Sequence, residues 1–244
     1  LLQLTSIRVA FGGLLALADI DLEVGQGERL AILGPNGAGK TTLFNVVAGD
    51  IVPTAGTVTI AGRDVTVAPP RQRPELGVAR TYQRTRLFPG LTVEENLVLA
   101  RIGKVGGRRR LRRGATYEDA RDRARTAADR VWLGDQLARP VADLSHGQQR
   151  QLEVGMATIT EPDLLLLDEP ASGLSSGERE RLVELLEDLD RSSTLILIEH
   201  DMDVALRVAS RVMVMADGRK IIEGDPATVR ADEQVHRIYL GSRG

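Results

Sequence analysis

Gly34, Pro35, Asn36, Gly37, Ala38, Gly39, Lys40 and Thr41 fit the spacing G-x-x-x-x-G-K-[ST]. In this order the residue types suit a chain of phosphates. The glycines let backbone N–H groups turn inward around phosphate oxygens, the lysine reaches the β- and γ-phosphates as a point charge, and the hydroxyl after it can ligate Mg²⁺. Thr42 follows and belongs to the same expected phosphate-binding set. Lysine occurs only at positions 40, 104 and 220, so a lysine at this place in the pattern is informative. A site of this kind also needs a carboxylate for the metal at the end of a neighbouring strand. Asp168 and Glu169 stand directly after the apolar run 164–167 and before Pro170. Asp168 is the expected Mg²⁺ partner. Glu169 is expected to act on the water attacking the γ-phosphate, as general base or as the group that orients it.

The elements that must hold these residues are legible in the hydrophobic periodicity. The apolar run 29–33 stops at the glycine-rich loop and gives way to a helical pattern over 41–49, which predicts strand, loop and helix. Upstream, Leu2, Leu4, Ile20, Leu22 and Val24 fall in short alternating runs and predict β structure, as does the run 57–60. Between 84 and 155 the period becomes helical, with apolar residues three and four apart over 94–100, 117–133 and 148–159. This reads as a helical insertion. Apolar runs at 164–167, 195–198 and 212–215 follow, and the helical stretch 178–189 starts with Ser175 and Glu178 at the spacing of a capping box. Strands alternating with helices imply a parallel sheet covered on both faces. Asp217 and Gly218, between 212–215 and 220–222, predict a hairpin that ends the sheet in an antiparallel pair.

Composition narrows the classes further. With 244 residues, 42% apolar and 27% charged, the chain has an ordinary globular composition and neither a disordered nor a fibrous one. A formal charge of -2 gives no overall field that would collect nucleic acid or anionic lipid. Apolar runs such as 164–167 fall far short of the roughly 18 residues that span a bilayer, so no membrane segment is predicted. The first ten residues lack the pattern of a secretory signal and there is no cysteine, so a reducing, cytoplasmic setting is expected.

The stretch Leu144, Ser145, His146, Gly147, Gln148 resembles the LSGGQ signature of the ATP-binding cassette (ABC) ATPases, with His146 in place of the first of two glycines. Together with the phosphate loop and the Asp168–Glu169 pair it extends the resemblance over essentially the whole chain. The resemblance implies an α/β fold, a P-loop NTPase (RecA-like) core with an antiparallel β subdomain and an inserted α-helical subdomain. It implies one ABC ATP-binding domain over 1–244, with the core at about 1–83 and 156–244 and the helical part at about 84–155. It also implies roles residue by residue. Gln83, after Arg80, Thr81 and Tyr82, matches the glutamine that contacts metal and water, and His200 matches the switch histidine at the γ-phosphate. Phe11 stands where the family has an aromatic that stacks on adenine. Ser145, Gly147 and Gln148 match the residues that meet the γ-phosphate held by the other subunit. The segment 172–175 resembles the D-loop, with Ser175 in place of the usual Asp.

Within the family, the stretches 11–17, 80–83, 198–202 and 235–241 look most like ATPase subunits of branched-chain amino acid importers, which include urea and short-amide relatives; lipopolysaccharide-export ATPases are the nearest alternative. The implied cofactors are ATP and Mg²⁺. The implied partners are integral membrane permease subunits and a second ATPase subunit, a copy or a paralogue, at the cytoplasmic face of the plasma membrane. No specific nucleic acid and no contact with the transported molecule are expected. A soluble ABC ATPase is a competing class, but such proteins carry two cassettes or long coiled coils, and this chain has one phosphate loop and no long heptad stretch. A P-loop kinase or GTPase leaves residues 144–148 unexplained. The segment 101–113 holds seven basic residues and no acidic one; it reads as a solvated loop or as a contact for anionic lipid head groups, and least well as a nucleic-acid contact, since no aromatic is interleaved for stacking.

Overall fold

The computed structural model of the protein describes residues 1–81, 87–104, 114–190 and 192–240. In chain order its elements begin with β1 (Leu2–Phe11), β2 (Leu14–Val24), β3 (Arg29–Leu33), α1 (Lys40–Ala48), β4 (Ala55–Ile60), β5 (Arg63–Asp64) and β6 (Val78–Arg80). There follow α2 (Val93–Lys104), α3 (Gly114–Arg130), α4 (His146–Thr158), β7 (Leu164–Asp168) and α5 (Ser176–Glu187). The chain then runs through β8 (Thr194–Ile198), α6 (Met202–Val208), β9 (Arg211–Ala216), β10 (Arg219–Gly224), α7 (Pro226–Ala231) and α8 (Glu233–Leu240). Two compact units result, one made of Leu1–Val78, Asp163–Glu169 and Asp190–Gly244, the other of Ala79–Pro162 and Pro170–Leu189.

The strands form two sheets, all of them in the first unit except β6, of which only Val78 belongs to it. One is antiparallel, in the order β2-β1-β4-β5, and the other runs β10-β9-β3-β8-β7-β6. Strands β3, β7 and β8 pair in parallel and every one of their residues is buried. Burial on both faces is why they read as unbroken apolar runs instead of alternating ones. The hairpin expected at Asp217 and Gly218 is present: β9 and β10 pair antiparallel, and both turn residues have positive φ, 49° and 72°. That is the backbone of a two-residue turn whose twist suits the flanking strands. Strands β1 and β2 are longer than the short alternating runs suggested. Ser6 (φ 49°) and Asp19 (φ 55°) sit at register shifts, so Leu4 and Ile7, three apart, are both buried and the period of two is broken.

The second unit is helical. Thr92 and Glu95 cap the start of α2 reciprocally, with Thr92 N–H donating to Glu95 Oε2 at 2.7 Å and Glu95 N–H to Thr92 Oγ1 at 3.2 Å. Gly155 lets α4 approach its neighbours closely: a Cβ there would lie 3.2 Å from Val131 Cγ2 and 3.3 Å from Leu97 Cδ2. The segment Pro170–Leu189, with α5, groups with these helices, which the change of periodicity at 155 did not mark. Its apolar residues Leu182, Val183, Leu185 and Leu186 are buried.

Candidate functional site

The carboxyl ends of three parallel strands define one edge of the first unit. Register pairs Ile32 with Ile198 and Ile198 with Asp168, so the residues that continue these strands, Leu33 and Gly34, Glu199 and His200, and Glu169, emerge side by side. In open α/β sheets this edge is where ligands sit.

The phosphate loop turns here. Gly34, Gly37 and Gly39 have φ of 150°, 83° and 95°, outside the range L side chains favour. At Gly39 a Cβ would lie 2.7 Å from the Ala16 carbonyl oxygen and 2.9 Å from Leu17 Cδ2, so close approach as well as backbone angle demands glycine. A Cβ at Gly34 would strike the Met215 carbonyl. Gly218 N–H donates to the Ala38 carbonyl at 3.1 Å, and its own carbonyl accepts from Ala18 N–H at 2.8 Å. The turn between β9 and β10 thus supports the loop from below, a role no local pattern announces. Helix α1 has no side-chain N-cap and no acidic residue in its first turn. Its leading amides and dipole are left for an anion, with the side chains of Thr41 and Thr42 on the same turn.

Lys40 is buried, and its Nζ donates to the Gly34 carbonyl at 2.5 Å and the Pro35 carbonyl at 3.0 Å. Burial pushes its pKa down from the ordinary lysine value, against the charges of Glu169, Asp168 and Glu199, which favour the ammonium. Lysine and carboxylates therefore form one charge cluster. Asp168 is buried at the end of β7. Glu169 adopts φ 47° while its N–H donates to the Ile198 carbonyl at 2.9 Å, an unusual backbone for a non-glycine residue and a form of local strain found at functional sites. His200 has an exposed side chain, with Nδ1 3.8 Å from Glu199 Oε2, beyond hydrogen-bond distance. Glu199 is fully buried, and an acid directly after an apolar strand carries no motif of its own.

Phe11 ends β1 with its ring half exposed, so it is not a core residue. Gln83 lies outside the described residues, as do 105–113 of the basic segment. For a metal, the Asp168 carboxylate and the Thr41 hydroxyl are hard oxygen donors of the kind Mg²⁺ takes. Among the described residues no group of three His, Cys, Asp or Glu could hold an ion. That donor set fits Mg²⁺, which uses one or two protein oxygens and completes its shell with phosphate oxygens and water.

In the second unit, Ser145 caps α4 and forms a capping box with Gln148, whose Oε1 accepts from Ser145 N–H at 3.0 Å. The Gln148 amide is thereby engaged at the helix start. Gly147 N–H and Ser145 Oγ donate to Glu178 Oε1 at 3.0 and 3.3 Å. Ser175 and Glu178 make the second capping box, at the start of α5, as their spacing predicted. Hydrogen bonds from the Ser175 hydroxyl and N–H, then from Gly147 N–H and Ser145, lower the Glu178 pKa to about 2. His146 lies over Gly173, where a Cβ would meet its Cε1 at 3.2 Å.

Comparison with known proteins places the chain in a family. Residues 17–172 match the family profile described as ABC transporter. The chain is 38% identical to the high-affinity branched-chain amino acid transport ATP-binding protein LivG of Salmonella typhimurium, over 99% of this chain and 98% of that protein. It is 34% identical to BraF of Pseudomonas aeruginosa, also a high-affinity branched-chain amino acid transport ATP-binding protein, with the same coverage of 99% and 98%. It is 36% identical to the thiamine import ATP-binding protein ThiQ of Salmonella paratyphi A, over 90% of this chain and 89% of that one. Among solved structures, the ADP conformation of MJ1267, an ATP-binding cassette of an ABC transporter, superposes with a TM-score of 0.87 at 29% identity, covering 98% of each chain. The dimeric MJ0796 cassette bound to ADP and Pi gives 0.78 at 27% identity, covering 93% of this chain and 99% of that one. Matched by that profile over more than half its length and by relatives up to 38% identical nearly end to end, the chain belongs to the ABC transporter family.

Proposed function

We propose that this chain is the ATP-hydrolysing subunit of a membrane ABC importer, and that the importer carries branched-chain amino acids or related small polar molecules. Both compact units serve one ATP-binding domain over 1–244. The free amides at the start of α1 and the Lys40 ammonium hold the β- and γ-phosphates, while Phe11 stacks on adenine. Thr41 and Asp168, with Gln83, hold Mg²⁺, which supplies charge neutralisation on the phosphoryl oxygens. Glu169 orients the attacking water or takes its proton, and His200 hydrogen-bonds the γ-phosphate. Such a reaction is largely positioning and electrostatics, which suits a lysine and carboxylates fixed at one strand edge. A second cassette, a copy or a paralogue, supplies Ser145, Gly147 and Gln148 to the γ-phosphate, and integral permease subunits at the cytoplasmic face of the membrane receive the work.

The observation that carries the reading is Lys40, buried between loop carbonyls in the field of Asp168, Glu169 and Glu199 at the start of a helix with no side-chain N-cap. For the transported class, support comes from the relatives that match nearly end to end, LivG and BraF; ThiQ matches over less of the chain. Lys40→Ala is expected to lower ATPase activity by 100-fold or more and to weaken ATP binding, with the fold intact by circular dichroism. Near wild-type turnover would overturn the assignment. Co-purification with a permease, and loss of leucine uptake on deletion, test the transport reading.

A further inference from the structure

The two donors expected to greet a γ-phosphate from a second cassette already have an acceptor in this chain. Glu178 divides its carboxylate between two helix starts. Oε2 accepts from Ser175 N–H at 3.1 Å and Ser175 Oγ at 2.8 Å, closing the cap of α5. Oε1 reaches the other way and accepts from Gly147 N–H at 3.0 Å and Ser145 Oγ at 3.3 Å, at the start of α4. The fit is close. A Cβ on Gly147 would lie 2.6 Å from Glu178 Oε1 and 2.7 Å from its Cγ, so a larger residue at 147 would displace the glutamate from this position.

An N–H and a hydroxyl have one hydrogen each, and both are engaged by Oε1. A γ-phosphate oxygen that came to the same two donors would have to take those hydrogens and lie beside a second anion, which repels it. We propose that Glu178 is a positioning residue for closure of the site: its Oε1 holds Ser145 and Gly147 in the separate cassette and yields them to the γ-phosphate of a nucleotide bound by the partner cassette, while Oε2 keeps Ser175. The carboxylate thus raises the nucleotide concentration at which two cassettes close and links the signature segment to residues 172–175. With its pKa near 2, Glu178 is ionised throughout the working range, so the exchange depends on nucleotide and not on ambient pH. The inference rests on the proposed contact of Ser145 and Gly147 with a second cassette's nucleotide.

The test uses the full chain carrying Glu169→Gln, in which ATP is bound and not turned over, with the monomer–dimer ratio followed by light scattering against ATP concentration. Adding Glu178→Gln removes the charge and keeps an acceptor. The expected result is an ATP midpoint for dimerisation at least threefold lower than in the parent. An unchanged or higher midpoint overturns the proposal, because loss of a merely structural cap would loosen Ser145 and Gly147 and weaken closure. If the parent itself does not dimerise with ATP, self-pairing fails and the same titration is run with the paralogous cassette, a result separate from failure of the Glu178 exchange. Should Glu178→Gln not fold, Glu178→Asp keeps the charge but is one methylene short of Gly147, and is judged by the same lowered midpoint.

Discussion

Lys40, Asp168 and Glu169 could be picked out from the sequence because each belongs to a short pattern with a fixed chemical need, and the structure brings all three to one strand edge. Glu178 illustrates the opposite case. Its spacing from Ser175 announced the cap of α5, yet its bonds to Gly147 and Ser145 span separations of 31 and 33 residues, which no local pattern encodes. Its charge state gives a pH signature. The pKa falls from 4.5 to about 2 on folding, so between these values the folded chain binds fewer protons than the unfolded chain. The contribution of Glu178 is fully present above pH 4.5 and is lost as pH falls toward 2. Thermal melts should therefore show Glu178→Gln less stable than the parent at pH 7, with the gap shrinking as the pH is lowered below 4.5. A gap that stays constant down to pH 3 would show that the charge is not what Ser175, Gly147 and Ser145 hold.

Among the elements, the buried strands were legible because burial on both faces leaves continuous apolar runs; 29–33 coincides with β3, and 164–167 falls one residue short of β7. The long strands β1 and β2 were less so, since the bulges at Ser6 and Asp19 reset the alternation. The loop after β3 offers a graded test. Gly37 and Gly39 both have positive φ, but a Cβ at Gly37 meets nothing within 4 Å while one at Gly39 meets Ala16 and Leu17. Gly37→Ala should cost about 1–2 kcal/mol, the left-handed penalty alone. Gly39→Ala should cost more in urea denaturation and also weaken ATP binding, because Ala16 and Leu17 must shift. Equal costs at the two positions would refute the role given to the close approach at Gly39.

For the whole molecule, the sequence spoke through the order of its motifs, which places a phosphate loop and a signature segment on one chain without saying which copy serves which. The two compact units carry these separately, the loop in the first and Ser145 and Gly147 in the second. If closure runs between two chains, Glu169→Gln should convert from monomer to dimer with ATP and not with ADP in size-exclusion chromatography. Ser145→Arg added to it should abolish the shift while leaving monomeric ATP binding near its parent value. A dimer that persists with Arg at 145 would exclude Ser145 from the contact.

The turn at Gly218 has a consequence of a different kind. It grips Ala38 in the phosphate loop with its N–H and Ala18 on β2 with its carbonyl. These two bonds tie the loop to covalently distant backbone. If the loop seats nucleotide as proposed, the ordering that these bonds impose is met once, when the chain folds, and not again at each turnover, so it is not subtracted from affinity.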